Sequence, residues 1–580
     1  MTEGELEDLV RGGRSLEGAS IAAFDLRGKN LAGARLPRTK LGPLAMDGVD
    51  LSGSDLAGAQ LLKCSLVNAN LEQSDLTGAR GLMCNLRGAR LAGARLAGAQ
   101  FPRTDFTGAD LSGADLRGAV LVDCDLAGAR LAGADLEGAH LDLSRLAGAD
   151  LTGASLNDAT LNKADLAGVV VRGARVARTS FVGASLVGAD LTDSPLDAVV
   201  FVGADLRRAV LPATMTRTVF EKAILADRDL AGRGLADAEL EGMDLRGFDL
   251  QGADLRRSVL RGADLRGANL RHANLEGALL AGCDLTGADL TGANLRRCGL
   301  MDANLAGADL SGKDLELAVL VGANLRGANL TGARVYLAVM MRCDLTGADL
   351  TRATVKGTVL KDAVLHGLVL DKTAFTSVDL SGVDLSSFTF QGLSMARCVF
   401  NGADLQGLDL GGCDFTGSNF VKTDLRRASF VKSTLDQCTF QEARLDVAVL
   451  EGVSAKGAFF GEASLQGARL TGAMLRFATF TGAELGHAHL AGCDLRETVW
   501  IQAKARGAIF AGARMGYANL SRADVRGADF TGADLSSANL HRLEDEGALW
   551  VNANLKRAAR TDRDRLEAEV WRPPPPPAAR

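Results

Sequence analysis

Ten cysteines, six histidines and a long succession of aspartates are the residues of this chain whose types could do chemistry. Thiols that bind metal or cycle through a disulfide cluster in the chain, typically as Cys-x-x-Cys. Cys64, Cys84, Cys124, Cys283, Cys298, Cys343, Cys398, Cys413, Cys438 and Cys493 do not. Each stands two residues before a large apolar side chain, in a place that elsewhere holds alanine. A small apolar thiol replacing alanine in a packed interior accounts for all ten, and reduced thiols are expected. His140, His272, His366, His487, His489 and His541 fall at places that point outward, and only His487 and His489 are close, with no third ligand. Nucleophile elbows, phosphate loops and dinucleotide fingerprints are missing, and the many Asp-x-Gly strings recur for reasons of folding. The expectation is a chain that is not an enzyme, with no catalytic, cofactor-binding or metal residue.

What positions these residues is a repeat. Leucine, with some Phe, Val and Met, recurs every five residues from Leu16 through Leu26, Leu31 and Leu36 to Leu211. After one four-residue step, Leu211 to Met215, the spacing resumes at Phe220 and runs to Leu555. A period of five fits neither a helix nor an alternating strand. It fits a square coil. Alanine and leucine point inward; the Asp or Asn between them and the two residues that follow point outward. Glycine takes the last place, where a turn needs positive φ. Four units then make one 20-residue coil, and outward residues 20 apart form columns such as Asp50, Asn70, Arg90, Asp110, Arg130 and Asp150. Signs are interspersed along it, as stacked charges require.

Composition agrees with a non-globular but ordered chain. Its 580 residues would ordinarily make three or four domains, yet only 4% are aromatic and 69 are glycine, too few large side chains for several compact cores. With 47% hydrophobic and 23% charged residues it does not have a disordered profile either. The net charge of -6 balances 71 acidic against 65 basic residues and gives no steering toward nucleic acid. No apolar run reaches membrane-spanning length and the start is acidic, so a cytoplasmic location without membrane insertion is expected. Secretion by a signal-less route is left open.

Units reading ADLTG, ANLRG and ARLAG closely resemble the pentapeptide-repeat family. The resemblance implies an all-β, right-handed quadrilateral β-helix. About 27 coils at the strand spacing of about 4.8 Å would make a rod of roughly 130 Å. The expected organisation is an N-terminal capping helix over 1–15, repeats over 16–211, an irregular join over 212–235, repeats continuing the rod over 236–555, and a C-terminal helix with a Pro-rich tail over 556–580. Thr2 and Glu5 form a capping box before Leu6, Leu9 and Val10; Thr561 is the expected cap of the second helix, and Pro573 to Pro577 end it. Arg228 and Arg233 at inward places predict a kink or join. Leu368, Val378, Val383, Phe388, Leu393 and Leu408 in the small inward place predict a wider cross-section. Lys29 and Lys313 are inward misfits.

Function must then lie in the outward columns. One face carries Asp244, Asp264, Asp284, Asp344, Asp384, Asp404 and Asp424, an acidic stripe. Some members of the family protect DNA gyrase by imitating duplex DNA, so the resemblance makes a gyrase-directed mimic one alternative. Asp binding the turn backbone as part of the repeat is the plainer account. A neighbouring face is apolar: Val319, Val339 and Val359, surrounded by Met301, Leu317, Val321, Tyr336, Leu337 and Met341. Contiguous exposed apolar surface marks an interface, so a non-catalytic protein-binding or scaffold protein is expected, with a protein partner or self-association and no direct nucleic-acid binding. The segment GRSLEGASIAAFDLRGKNLAGARL and the ending Trp571-Arg572-Pro573 are similar to long family members found beside type VI secretion genes, which implies a secretion component or cargo as a further alternative.

Overall fold

A computed structural model describes residues 3–225 and 229–572. The chain divides into two units, Met1–Asn294 and Leu295–Arg580. Both are parallel β-solenoids, in which each side of a coil pairs with the same side of the next, as Asp110 does with Arg130 and Arg130 with Asp150. On the side carrying Leu126, the Leu126 N–H donates to the Arg145 carbonyl at 2.7 Å, and the Asp150 N–H to the Ala129 carbonyl at 3.0 Å. A turn bond from the Ala129 N–H to the Leu126 carbonyl, 3.0 Å, closes each corner. Alanine and leucine are buried and the other three places half-buried or exposed, as the five-residue phase requires.

The first unit opens with helix α1, Glu3–Arg11. Val10 is buried, and Glu7 reaches Lys29 Nζ at 2.9 Å. That contact accounts for the cation at an inward place: Lys29 lies in the first coil, under the helix. The Thr2–Glu5 capping box lies outside the described residues. Strands β1 to β4 (Ser20–Ile21, Lys40–Leu41, Gln60–Leu62, Arg80–Leu82) stack in order as a parallel sheet. Gly81 stands where a leucine is due. The ring of Phe101 in the next coil fills the space, 2.2 Å from where a Cβ on Gly81 would sit. Strands β5 to β7 (Val176–Ala177, Leu196–Asp197, Met215–Thr216) cross the four-residue step. Leu196 pairs with Met215, Val200 with Val219 and Asp205 with Ile224, so this coil is one residue shorter than its neighbours, with Pro212 buried at the shortened corner. By the pairing of Thr214 with Gly234 the regular register has returned. The columns therefore pass through the step. Arg233 is half-buried; Arg228 lies outside the described residues.

In the second unit, β8 to β11 (Arg334–Tyr336, Thr354–Lys356, Ala374–Thr376, Ser394–Ala396) form the one regular sheet among the described residues. Between Leu368 and Leu408 the large residues at small places push on the wall. Leu368 and Leu408 are half-exposed, and the sides at Asp384 and Thr389 lose their bridges. Lys313 is 8% exposed, with its charge acting on Asp309. Further on, Phe400, Phe420, Phe440, Phe460 and Phe480 form one interior stack, rings 4.8–5.0 Å apart and within a few degrees of parallel. That spacing is the coil rise. Trp500 ends the stack, and its indole N–H is satisfied by Thr498 Oγ1 at 2.8 Å.

Helix α2, Arg563–Val570, is capped by the Asp562 side chain, which accepts from the Arg565 N–H; Thr561 instead accepts from the Arg542 N–H. The cap therefore falls one residue later than expected, because Thr561 is held by the coil. The helix packs beside the last coils. Glu569 sits against Arg522 at 2.6 Å and Arg542 at 3.3 Å, and Arg522 foremost holds its carboxyl down to about 2. His541, expected outward, is buried beneath it, accepting from the Asp562 N–H through Nδ1 at 3.3 Å. The place is outward with respect to the coil, but a helix covers it. The Pro573–Pro577 run lies outside the described residues.

Interior and corner aromatics should behave oppositely. Phe440→Ala removes a ring stacked on both sides and is expected to cost about 3–5 kcal/mol, lowering the melting temperature. Phe477→Ala, at a corner where the ring is 52% exposed, should leave it nearly unchanged.

Candidate protein-binding surfaces

All ten cysteines are buried and free. Several of the thiols act as donors: Cys283 Sγ reaches the Leu260 carbonyl at 2.8 Å, Cys493 the Leu470 carbonyl at 2.9 Å, and Cys124 the Phe101 carbonyl at 2.9 Å. Ser144 and Thr358 make the same bond with hydroxyls. A polar hydrogen at the small inward place thus satisfies a carbonyl of the preceding coil, a role that composition alone does not reveal. Burial pushes Cys124 up to about 11 and Cys283, Cys343, Cys398, Cys438 and Cys493 up to about 12. Among the described residues no three His, Cys, Asp or Glu stand close enough to share a metal ion, and no helix is long and apolar enough to cross a membrane.

The acidic stripe is largely paired. In the first unit, Asp244 is held by Arg246 and Asp264 by Arg266, each through two guanidinium bonds of 2.6–2.8 Å. Asp284 accepts from the Thr286 N–H at 3.0 Å. In the second unit, Arg326 reaches Asp344 at 2.9 Å, and Arg426 and Arg444 both face Asp424. Asp384 and Asp404 accept from the N–H groups of Ser386 and Gln406. Hydrogen bonding from Arg266 and Arg426 holds the carboxyls of Asp264 and Asp424 below the usual range. These aspartates fasten the turn two residues ahead, and in the Asp-Leu-Arg units of Asp244, Asp264 and Asp424 the arginine also neutralises the carboxylate on the spot.

The apolar face lies wholly in the second unit. Val319 pairs with Val339 and Val339 with Val359, all half-buried. At the adjoining corner Leu317 is 38% and Leu337 56% exposed; Met301, in the column of Val321 and Met341, is 45% exposed. The Leu337 side chain lies over Gly357, where a Cβ would meet it at 2.7 Å. Tyr336 flanks the corner, with Arg334 at 4.8 Å and Lys356 at 5.9 Å from its ring centre. The rim holds residues that the sequence pattern did not single out: Arg342, Lys356 and Lys361 are exposed, and among the described residues none pairs with a carboxylate. Their outward phase beside the valine column was the available signal.

A four-sided parallel coil with alanine and leucine inside and aspartate outside defines a class of right-handed β-helices. Models described as pentapeptide repeats match residues 46–80, 84–211, 235–334, 343–417 and 448–543, with a second such model at 400–444. The chain belongs to the pentapeptide-repeat family. No curated protein matches it. Among solved structures it is similar to HetL, a pentapeptide repeat protein involved in heterocyst differentiation regulation from the cyanobacterium Nostoc, with 28% identity over 51% of this chain and 96% of that one, TM-score 0.16. QnrB1, a plasmid-mediated fluoroquinolone resistance protein, has 21% identity over 38% and 92%, TM-score 0.22. A pentapeptide repeat protein of the Arabidopsis thaliana thylakoid lumen has 33% identity over 19% and 70%, TM-score 0.10.

Thiols raised by burial stabilise the fold in their protonated form, so that contribution is complete below the ordinary thiol value of 9 and is lost as pH rises toward about 12. At pH 8 the native chain should resist thiol reagents and label fully only in denaturant. Rapid native labelling of several thiols would contradict the inward assignment.

Proposed function

We propose that this chain is a non-catalytic scaffold that binds a protein partner through the apolar corner centred on Leu337. The observation that carries the reading is the contiguity of apolar side chains there, with Leu317 and Leu337 exposed beside the column of Val319, Val339 and Val359; Leu337 stands at its centre. It holds a branched apolar side chain 56% exposed at φ 52, a left-handed corner that glycine occupies without strain at many equivalent places. Backbone strain and an exposed apolar surface are both unfavourable in the isolated chain, and a bound partner would remove the second. The unpaired cations Arg342, Lys356 and Lys361 favour a partner whose contact surface is apolar at its centre and acidic at its edge.

Leu337→Asp with Val339→Asp tests this. Aspartate is the commonest residue at the Val339 place in the repeat, so the variant should fold with an unchanged melting temperature while losing the partner recovered with the intact chain. Leu143→Asp, on an equally exposed apolar residue of the first unit, should keep it. If the double variant unfolds, the two side chains belong to the interior; if it folds and keeps every partner, the corner is not the binding surface.

The gyrase-directed alternative has less behind it. Arginines two residues ahead neutralise Asp244, Asp264 and Asp424, so the stripe lacks the uncompensated charge of a phosphate backbone. The likeness to QnrB1 is one of fold. In a supercoiling assay the chain is expected to give neither inhibition of gyrase nor protection from quinolones at any concentration.

A further inference from the structure

In the second unit, the side of the coil that carries α2 is unlike the other three. From Phe459 to Ser521 its outward places, among them Thr479, Thr481, Val499 and Ile501, hold no charged residue. The other sides of the same coils carry Arg469, Glu484 with Lys504, and Asp494 with Arg514. Phe459 pairs with Thr479 and Thr479 with Val499, so the uncharged strip is continuous. Two aromatic rings stand along its edge. Phe477 and Tyr517, 52% and 70% exposed, occupy one corner two coils apart. Glu497, which stands between them, is neutralised by Arg476, and the Arg476 guanidinium also lies 4.6 Å from the centre of the Phe477 ring.

Helix α2 leads the chain toward this strip. It starts beside Thr561, and Glu569 in its last turn pairs with Arg522, two coils earlier, so the helix runs back along the solenoid. Ser521, next to Arg522, is 6% exposed, while Ile501 and Thr481, one and two coils earlier, are half-buried. The open part of the strip therefore begins where the helix stops. Trp571, which closes the helix, has φ -60 and ψ 130, close to polyproline II. Arg572 then precedes five prolines, Pro573–Pro577, a sequence that favours the same conformation.

We propose that the uncharged strip is a binding track for a polyproline II segment, and that its occupant is the chain's own Pro573–Pro577 run. The two periods match. Polyproline II repeats every three residues, about 9.3 Å. Two coils measure nearly the same, since the interior phenylalanine rings of successive coils are 4.8–5.0 Å apart. Prolines three apart thus meet Tyr517 and Phe477 in turn. Five prolines span about 15 Å, or about three coils, enough to run from Ile501 to Phe459. The chemistry matches as well. A proline run has carbonyls and no N–H, so it is recognised by ring faces and hydrogen-bond donors and not by charge. The rings of Phe477 and Tyr517 supply the first, and the hydroxyls of Tyr517, Thr479 and Thr481 the second.

The ten native cysteines are buried, so cysteines introduced at the surface report alone. Pro575→Cys with Thr481→Cys in the full chain should form an intrachain disulfide on mild oxidation with oxidised glutathione, read by non-reducing electrophoresis and peptide mapping. Pro575→Cys with Ala491→Cys, the equivalent place on the opposite side of the same coil, should stay reduced. Adding Phe477→Ala and Tyr517→Ala to the first pair should slow its disulfide about tenfold while the melting temperature hardly moves. Absence of the first disulfide, equal rates at Thr481 and Ala491, or a rate indifferent to the loss of both rings would each overturn the proposal. Disulfide-linked dimers in place of the intrachain bond would overturn it too, because the strip would then hold the proline run of a second copy.

Discussion

Everything in this protein depends on one hydrogen-bond ladder, in which a central N–H donates to a carbonyl of the next coil, as Leu126 does to Arg145, and an outward N–H donates to a carbonyl of the preceding coil, as Asp150 does to Ala129. Neither bond can form within a single pentapeptide, so no repeat is stable alone; each coil is held by its neighbours. The ladder sets the rise per coil, and the phenylalanine stack of the second unit reproduces that rise in its ring spacing. A row of identical side chains one rise apart can touch face to face with no gap. The interior therefore tolerates Phe in place of Leu along a whole column, and at Gly81 the ring of Phe101 in the next coil fills the space a leucine would have taken.

The same ladder decides what the surface can do. Outward residues of successive coils stand close enough for any unpaired charge to act on the next, and the chain answers with Arg-Asp pairs within and between coils. A surface neutralised at such short range offers little field to a distant partner. What distinguishes one region from another is then the departure from that pattern, as in the valine column with its leucine corner and its rim of exposed cations.

The four-residue step shows how much irregularity the ladder absorbs. Dropping a residue at a corner shortens one side, and Pro212 fills the inward place there without needing an N–H bond. Bulky residues at several small places are absorbed less well, since they act on the wall itself; the bridges at Asp384 and Thr389 are lost.

The repeat made much legible before any coordinates. A five-residue phase with inward alanine and leucine places every cysteine inside, pairs each residue with its counterpart four units on, and identifies Leu317 and Leu337 as outward, because a solenoid converts position in the chain directly into position on a face. What the phase could not carry was contact between elements outside it. Lys29 is explained by Glu7 of a helix, His541 is buried by another helix, and neither follows from the repeat. That arginines neutralise much of the aspartate stripe and that several thiols bond carbonyls of the preceding coil were likewise decided by tertiary structure. Each depends on which side-chain atoms meet across coils or across an end, and a period describes backbone position without specifying that.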